Sequence, residues 1–356
     1  MLIHTFETSF TVSSNVFFDI QNQLKMKNYK WDGRNEDRMV FYGLSKYGIL
    51  IIFRRIRKPK FTSYRIMYVI SAYRVFEPYR YVGLFDSRGY AELEERVDSL
   101  LYNLCPKLPP LRKCTPSRID FCINAYLENQ HQVKEYINLA KKCNIPKSME
   151  ESFLYDDKKH KMRSKKDMTI RSSEYIEISI YNKYAQMKDS AKNANSFPDM
   201  NDAKNIVRIE IRCMRNKLEH IAKKFGLQEN SLLSYMRHAD EIGKYLYKFY
   251  LKKMFCQGQF YTLAEAKKRI AMSGFSDETI AEMTEFAEYV NRERNLNEIV
   301  NVYTDNEGKK ATKRILWLFD EIDTNPLTIP KSMAKIFGKE GVPHPLKLFK
   351  ENCNIK

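Results

Sequence analysis

Residues 175–181 read Tyr175-Ile176-Glu177-Ile178-Ser179-Ile180-Tyr181, and this short stretch decides the fold of the chain. Apolar and polar side chains alternate strictly along it, which is the period-two pattern of a β-strand with one buried face. The three isoleucines share one face, whereas Glu177 and Ser179 lie with the tyrosines on the other. The stretch therefore predicts a strand with a polar face that either contacts solvent or carries a functional site.

The same alternation recurs in two other stretches, Ser117–Asn124 and Val207–Cys213. If all three strands belong to one sheet, their apolar faces bury together and their polar faces form one surface. Glu177 and Tyr181 then lie near the polar side chains of the other two strands, which are Arg118, Asp120, Cys122, Asn124, Arg208, Glu210 and Arg212. A merely solvated face remains the alternative, because alternation by itself identifies a strand and no chemistry.

The composition indicates a folded and strongly basic protein. The 356 residues are 43% hydrophobic and carry 61 lysines and arginines against 44 acidic residues, which gives a net charge of +17. A chain of this length forms one large domain or two ordinary domains with real cores. The positive excess points to a polyanionic partner, which is either nucleic acid or an anionic membrane surface.

Two further observations favour nucleic acid and a cytoplasmic location. No apolar run approaches the roughly 20 residues that span a bilayer, and the first residues lack the pattern of a signal peptide. The seven cysteines are scattered and form no CxxC pair, which favours reduced thiols over disulfides or a zinc site. We therefore expect no membrane partner, and we expect the protein in the cytoplasm of a bacterial host.

The order of the patterns predicts an α+β fold with a central antiparallel sheet, flanking helices and a helical C-terminal region. Strand patterns dominate residues 1–226, for which we predict a β-rich domain. Helical spacing and a capping box at Thr262–Glu265 predict a helical region over residues 227–325, and four prolines predict an extended tail over residues 326–356. Two helices around Gly274 resemble a helix-turn-helix, but the second is acidic, which favours ordinary helix packing over reading of DNA.

Two basic segments are candidates for contacts with phosphates. Arg54, Arg55 and Arg57 follow the apolar stretch Gly48–Phe53, and we predict a basic loop there. The second segment is predicted as a hairpin loop, and its lysines include Lys158, Lys159, Lys165 and Lys166. Such groups attract a nucleic acid strand, and a solvated surface is the alternative.

Three stretches in order, Ser117–Asn124, Ser179–Lys183 and Val207–Ile211, resemble the motif series of rolling-circle replication initiators. The resemblance is to the plasmid initiators called Rep_trans and, more loosely, to the gene II replication protein of filamentous phages. It covers roughly residues 110–225. It implies a metal-dependent endonuclease that binds origin DNA, both double- and single-stranded, and nicks and rejoins one strand. No His-hydrophobe-His motif occurs, which argues against the HUH class of nickases.

The resemblance also implies roles for individual residues. The tyrosine before Asn-Lys is the nucleophile of that family, which here is Tyr181, and its attack leaves a 5′-phosphotyrosyl link and a free 3′-hydroxyl that primes synthesis. Asp120 and Glu210 match the family's ligands for a divalent metal, Mg or Mn. Asn124 stands where the family has a second acidic residue; its oxygen can still bind a metal, and Glu177 on the same face would add a carboxylate. Beside these carried-over roles, Lys183, Arg118 and Arg208 are candidates for contacts with the scissile phosphate, and simple ion pairing is the alternative for the two strand arginines.

Two alternatives stay open at this stage. The chain could be a non-catalytic DNA-binding protein with an initiator-like fold, or a conjugative relaxase that uses the same chemistry in another setting. The sequence also leaves open whether the protein forms a homodimer, whether it works with a host helicase, and whether it serves a phage or a plasmid.

Overall fold

An antiparallel sheet forms the centre of the protein and helices pack against it, so the α+β fold class is confirmed. The computed structural model describes residues 1–35, 37–146, 149–151, 154–156, 161–163, 167–191, 197–293, 306–338 and 341–348. Within these residues the sheet has 11 strands. They are β1 (Leu2–Val12), β2 (Trp31–Asn35), β3 (Arg38–Phe41), β4 (Ile49–Lys58), β5 (Phe61–Ser71), β6 (Phe85–Asp86), β7 (Thr115–Tyr126), β8 (Glu150–Glu151), β11 (Met168–Ser172), β12 (Ile176–Asn182) and β13 (Ile206–Met214), while β9 (Leu154–Asp156) pairs separately with β10 (Lys161–Arg163).

The strand order is β2-β3-β4-β5-β1-β7-β13-β12-β11-β8, with β6 paired to β1. The three stretches that the sequence predicts as strands are β7, β13 and β12, and they are adjacent and antiparallel. Their predicted placement in one sheet is therefore confirmed. Because directly paired residues share a face, the register also fixes which side chains of the other strands lie on the same face as Tyr181.

Twelve helices of the described residues surround this sheet. They are α1 (Ser14–Lys25), α2 (Ala72–Phe76), α3 (Tyr90–Leu104), α4 (Gln130–Lys141), α5 (Lys183–Ala191), α6 (Arg215–Phe225), α7 (Leu232–Arg237), α8 (Ala239–Phe255), α9 (Leu263–Ala271), α10 (Asp277–Glu293), α11 (Asn306–Glu321) and α12 (Lys331–Phe337). Helix α12 lies in the segment predicted as an extended tail. In the described parts of the chain, no helix combines the length and apolar character that a membrane span needs.

The apolar face of the sheet packs on the C-terminal helices. Ile209 of β13, Leu246 of α8 and Phe319 of α11 belong to one contiguous buried cluster. The hydroxyl of Tyr247 on α8 lies 2.8 Å from the carbonyl of Ile209 and 3.1 Å from that of Phe121. The predicted boundary near residue 226 therefore separates strand-rich from helical sequence, but the two parts share a core.

The basic segment after Phe53 is a strand, and the prediction of a loop there is wrong. Strand β4 continues to Lys58 and forms a long hairpin with β5, in which Arg54 lies opposite Arg65 and Lys58 opposite Phe61. Strand pairing with the β-branched and aromatic residues of β5 outweighs the preference of a charge run for solvent.

Buried His344 makes the stability of the C-terminal region depend on pH. Burial lowers its pKa from 6.5 to about 4, and the ring lies between the carbonyl of Cys256 at 2.9 Å and the amide of Leu346 at 3.1 Å, which fixes a neutral tautomer. Between these two pKa values the unfolded chain binds the extra proton, so stability falls as the pH falls. We expect His344 to lower the free energy of unfolding by about 2 kcal/mol as the pH falls from 8 to 5.

Urea unfolding of the wild type and of His344→Gln at both pH values tests this expectation. The variant should lose less stability than the wild type on acidification, by about the same 2 kcal/mol. Equal losses in the two proteins would show that His344 does not titrate between the states.

Candidate active site on the polar face of the sheet

Strands β7, β13 and β12 carry the polar face that the sequence predicts. Two cross-strand rows define it: Asp120, Arg212 and Glu177 in one, and Asn124, Arg208 and Tyr181 in the other. Glu210 lies between the rows, opposite Ser179 and Cys122. The predicted neighbourhood of Asp120, Glu177, Glu210 and Tyr181 is therefore confirmed.

Tyr181 is held against a carboxylate at the centre of this face. Its hydroxyl donates to Oε2 of Glu210 at 3.1 Å. The Nδ1 atom of His4 lies 3.3 Å from the same oxygen. Tyr181 is 6% exposed and Glu210 is 4% exposed, so the contact is almost fully shielded from water. A phenol and an imidazole thus converge on one buried carboxylate oxygen.

His4 reaches this face because β1 carries an irregularity. Ile3 pairs with Phe121 and Phe6 pairs with Ile119, so three residues of β1 span the length of two in β7. Such a bulge lets Ile3 and Phe6 both bury on the apolar side while His4 turns to the polar side. Sequence reasoning missed His4. The available signal was the spacing of three between two apolar residues in a strand.

Asp120 is the hub of an ion-pair network. Arg118 donates to both of its oxygens, at 2.7 and 2.5 Å, and Arg212 approaches Oδ1 at 3.3 Å. Arg212 also contacts Glu210 at 3.3 Å and Glu177 at 2.8 Å. Burial raises the pKa of Asp120 to about 6 even though Arg118 lowers it. The network fixes the orientation of both carboxylates, Asp120 and Glu210.

His4, Asp120 and Glu210 could hold a metal ion. One ligand atom from each lies within 4.8 Å of the other two. Burial lowers the pKa of His4 below its ordinary value, so the imidazole is neutral at neutral pH and offers a lone pair. An imidazole and two carboxylates form a donor set that fits a divalent ion such as Mn²⁺. Asp120 would share its oxygens between such an ion and the two arginines that already contact it, Arg118 and Arg212.

The other two predicted ligands make different contacts. Oδ1 of Asn124 accepts from Nε of Arg208 at 2.8 Å, and its amide donates to the carbonyl of Val82 at 3.3 Å. Glu177 binds Arg212 at 2.8 Å and accepts from Ser179 at 3.3 Å. The structure therefore brings Asp120 and Glu210 together with His4, and it places Asn124 and Glu177 in neighbouring hydrogen-bond groups.

The charges around Tyr181 keep the phenol neutral and Glu210 ionised. Burial and the nearby Glu210 raise the pKa of Tyr181 well above its ordinary value. Burial also favours neutral Glu210, but His4, Arg212 and Arg208 outweigh it and lower its pKa. His4 lowers the pKa of Glu210 by its charge only when the imidazole is protonated, and burial disfavours that form. The arginines stay charged, so Glu210 remains an acceptor when His4 is neutral.

Two buried cations adjoin the tyrosine. Arg208 is 0% exposed and donates to Asn124 and to the carbonyl of Val82, while its Nη1 has no hydrogen-bond partner. Lys183 is 3% exposed and donates to Oε1 of Gln186 at 2.9 Å. Burial and the charge of Arg208 lower the pKa of Lys183 well below its ordinary value. An unpaired guanidinium nitrogen beside a buried ammonium group is suited to receive an anion.

A short segment around Val82 contacts one of these cations, Arg208. Oδ2 of Asp199 accepts from the backbone amides of Tyr81 at 2.6 Å and Val82 at 2.7 Å. Val82 then presents its carbonyl to Arg208 and Asn124. The segment is thus held at the end of the cross-strand row that also carries Tyr181.

The predicted DNA-binding arginines fall into separate groups. Arg54 is exposed and lies in a cross-strand row with Arg38 and Arg65, on the same face of the sheet as the site. Arg55 and Arg57 alternate to the opposite face, where each lies 3.0 Å from Asp37. The predicted lysines Lys158, Lys159, Lys165 and Lys166 lie outside the described residues.

No protein-family model matches this chain, and a search of curated proteins finds no match.

Proposed function

We propose that this protein nicks and rejoins one DNA strand through Tyr181 and thereby starts rolling-circle replication of a phage or plasmid. The observation that carries the proposal is the hydrogen bond of 3.1 Å from the Tyr181 hydroxyl to Glu210. Glu210 belongs to the cluster with His4 and Asp120, whose ligand atoms lie within 4.8 Å of one another. A nucleophile, a proton acceptor and a donor set for a cation thus meet at one point, as strand transfer requires.

In the proposed strand transfer, residues of this site provide the nucleophile, the acceptor of its proton and the donor of a proton to the leaving group. The phenolic oxygen of Tyr181 attacks phosphorus and forms the new P–O bond, while its proton passes to Glu210, which already accepts the hydrogen bond. The bond from phosphorus to the 3′-oxygen breaks, and that oxygen takes a proton from Lys183. Arg208, with one free nitrogen, binds a non-bridging oxygen of the phosphate. Rejoining is the same reaction in reverse.

His4, Asp120 and Glu210 would hold the divalent cation. When bound, such a cation polarises the phosphate and offsets the negative charge that develops on its oxygens. Carboxylates alone suit Mg²⁺, and the imidazole of His4 shifts the preference of the site toward Mn²⁺. Arg118 keeps Asp120 oriented through two hydrogen bonds, at 2.7 and 2.5 Å, and so acts as a positioning residue.

A non-catalytic DNA-binding protein is the second candidate, and one observation favours it. Tyr181 and Lys183 are only 6% and 3% exposed. A buried phenol within an ion-pair network is also a way to stabilise a sheet. Under the first proposal Tyr181 becomes accessible when DNA binds; under the second it stays buried.

A covalent adduct separates the two candidates. Supercoiled plasmid that carries the chain's own coding sequence would be incubated with the protein and Mn²⁺, because related initiators often have their origin in or beside the gene. Nuclease digestion and mass spectrometry of the peptides then locate the nucleotide-linked residue. We expect the adduct on Tyr181. Attachment to Tyr175 or Tyr184 would show that the nucleophile is misassigned, and no adduct would favour the non-catalytic alternative.

The arginine row on β3, β4 and β5 should supply part of the DNA affinity. Arg38, Arg54 and Arg65 lie directly opposite one another, and no described acidic side chain pairs with them. Like charges opposite each other destabilise a sheet unless an anion lies between them. Replacing all three with glutamine should reduce the slope of log K against log salt on duplex DNA by about 2–3.

The matched control for this measurement is the pair Arg55→Gln and Arg57→Gln on the opposite face. These arginines contact Asp37, so their removal should change the salt slope by less. Equal changes of the salt slope in the two variants would show that DNA does not bind preferentially to the face that carries Tyr181.

A further inference from the structure

A cleft of about 390 Å³ lies beside the candidate active site on the same side of the sheet. Its floor is apolar and consists of Leu50 on β4 and Val69 on β5, which lie opposite each other. Val69 also lies opposite Glu7 of β1, and Glu7 pairs with Arg118 of the site at 2.8 Å. The floor on β5 and strand β7 are two strand spacings apart, or roughly 10 Å.

The rim of the cleft carries an exposed aromatic ring in a tight turn. Tyr79 has a φ of 69°, in the left-handed region that bulky side chains rarely adopt. The side chain of Tyr79 is not buried, since the residue is 53% exposed. This backbone conformation belongs to a turn, in which Pro78 precedes Tyr79 and the amide of Arg80 donates to the carbonyl of Glu77 at 3.2 Å. The turn therefore holds the Tyr79 ring at the rim of the cleft, exposed to solvent.

Cations lie beside the aromatic rings of the cleft. The guanidinium of Arg74 lies 4.3 Å from the ring centre of Tyr81 and donates to the carbonyl of Ser45 at 2.7 Å, while its Nε is buried without a partner. Lys46 also lines the cleft. Gly48 makes room for Arg74, since a Cβ there would lie 2.7 Å from the Cβ of Arg74. The apolar floor, the exposed ring of Tyr79 and the nearby cations together fit a nucleobase and its phosphate.

The same backbone segment lines the cleft and contacts Arg208 of the candidate active site. Tyr81 contributes its ring to the cleft, and the next residue, Val82, gives its carbonyl to Arg208. Asp199 holds both backbone amides. The cleft and the buried cation Arg208 are therefore joined by two consecutive residues of one segment.

We propose that this cleft binds an unpaired base of single-stranded DNA, with Tyr79 stacked on the base and Lys46 and Arg74 on the adjoining phosphates. The inference rests on the proposed function for the identity of the ligand, since a free nucleotide offers the same chemistry. A strand held in the cleft would lie beside the face that carries Tyr181, because Glu7 links the row of Val69 to Arg118 of the site.

The test measures binding without chemistry. Fluorescein-labelled oligo(dT) of 12 nucleotides would be titrated against the full chain carrying Tyr181→Phe, with and without Tyr79→Ala. Because stacking on one aromatic ring contributes about 1–3 kcal/mol per base, Tyr79→Ala should weaken binding about five- to 150-fold. Tyr102→Ala is the matched control, since Tyr102 is 64% exposed on α3 and outside the cleft. Melting temperatures verify that the variants are folded.

Two further probes identify the ligand. An oligonucleotide of abasic sites should bind the parent and the Tyr79→Ala protein equally, since it has no base to stack. Competition by dTMP should need a far higher concentration than competition by unlabelled oligo(dT). Unchanged affinity of Tyr79→Ala for oligo(dT) would overturn the proposal, and equal competition by dTMP would assign the cleft to a free nucleotide. Both measurements report binding only, so they test the cleft even if the protein does not nick DNA.

Discussion

Replacing Tyr181 with phenylalanine is expected to abolish strand nicking while leaving the fold and DNA binding in place. The substitution removes only the hydroxyl that donates to Glu210, so the proposed nucleophile is lost while the ring still packs. We expect the rate of nicking to fall by at least ~10³-fold. The free energy of unfolding should change by only about 2 kcal/mol, because Glu210 keeps its contacts with His4 and Arg212. Conversion of supercoiled to open-circular plasmid measures the first effect, and urea unfolding the second.

Tyr175→Phe is the control for this prediction. Tyr175 precedes β12 and is 46% exposed, so its hydroxyl lies outside the buried cluster and its loss should leave nicking unchanged. Nicking by Tyr181→Phe at the wild-type rate would remove Tyr181 from the reaction and leave its hydroxyl as a partner of Glu210 in a structural network.

The polar face could be predicted from the sequence because a strand repeats every two residues. Once three alternating stretches are assigned to one sheet, the period alone decides that Glu177 and Tyr181 share a face. The structure adds the register, in which Tyr181 lies opposite Arg208. A register shift of one residue would have turned every one of these side chains to the core, so burial of the isoleucines specifies it strongly.

Other parts of the site could not be predicted, because they depend on contacts between distant parts of the chain. His4 lies more than a hundred residues before β7, and only the sheet order places β1 beside it. The backbone carbonyl of Val82 accepts a hydrogen bond from Arg208. Every residue has such a carbonyl, so the sequence gives no sign of this contact. Arg54 and Arg55 look alike in sequence, but the pairing of β4 with β5 turns them to opposite faces. Their different surroundings, Arg65 for Arg54 and Asp37 for Arg55, follow from the extended backbone of β4 rather than from charge.

Replacing Glu210 with glutamine should have the second large effect, because one oxygen of Glu210 accepts from Tyr181 and the side chain also belongs to the proposed metal site. Glutamine keeps the shape but loses the charge, so it can neither take the phenolic proton nor bind a cation well. We expect nicking to fall by at least ~10²-fold. We also expect the variant to lose any rise in melting temperature that Mn²⁺ produces in the wild type. A saturating ligand at about 100 times its Kd stabilises a fold by about 2.7 kcal/mol, which a thermal melt resolves.

Glu177→Gln is the matched control, because it removes the same charge from the same face. Glu177 contacts Arg212 at 2.8 Å and is not among the three side chains grouped as metal ligands. Its replacement should therefore weaken nicking and the Mn²⁺ shift much less than Glu210→Gln does. Full activity of the wild type in excess chelator would separate the two roles of Glu210. The metal site would then be wrong, and Glu210 would remain only as the acceptor of the proton from Tyr181.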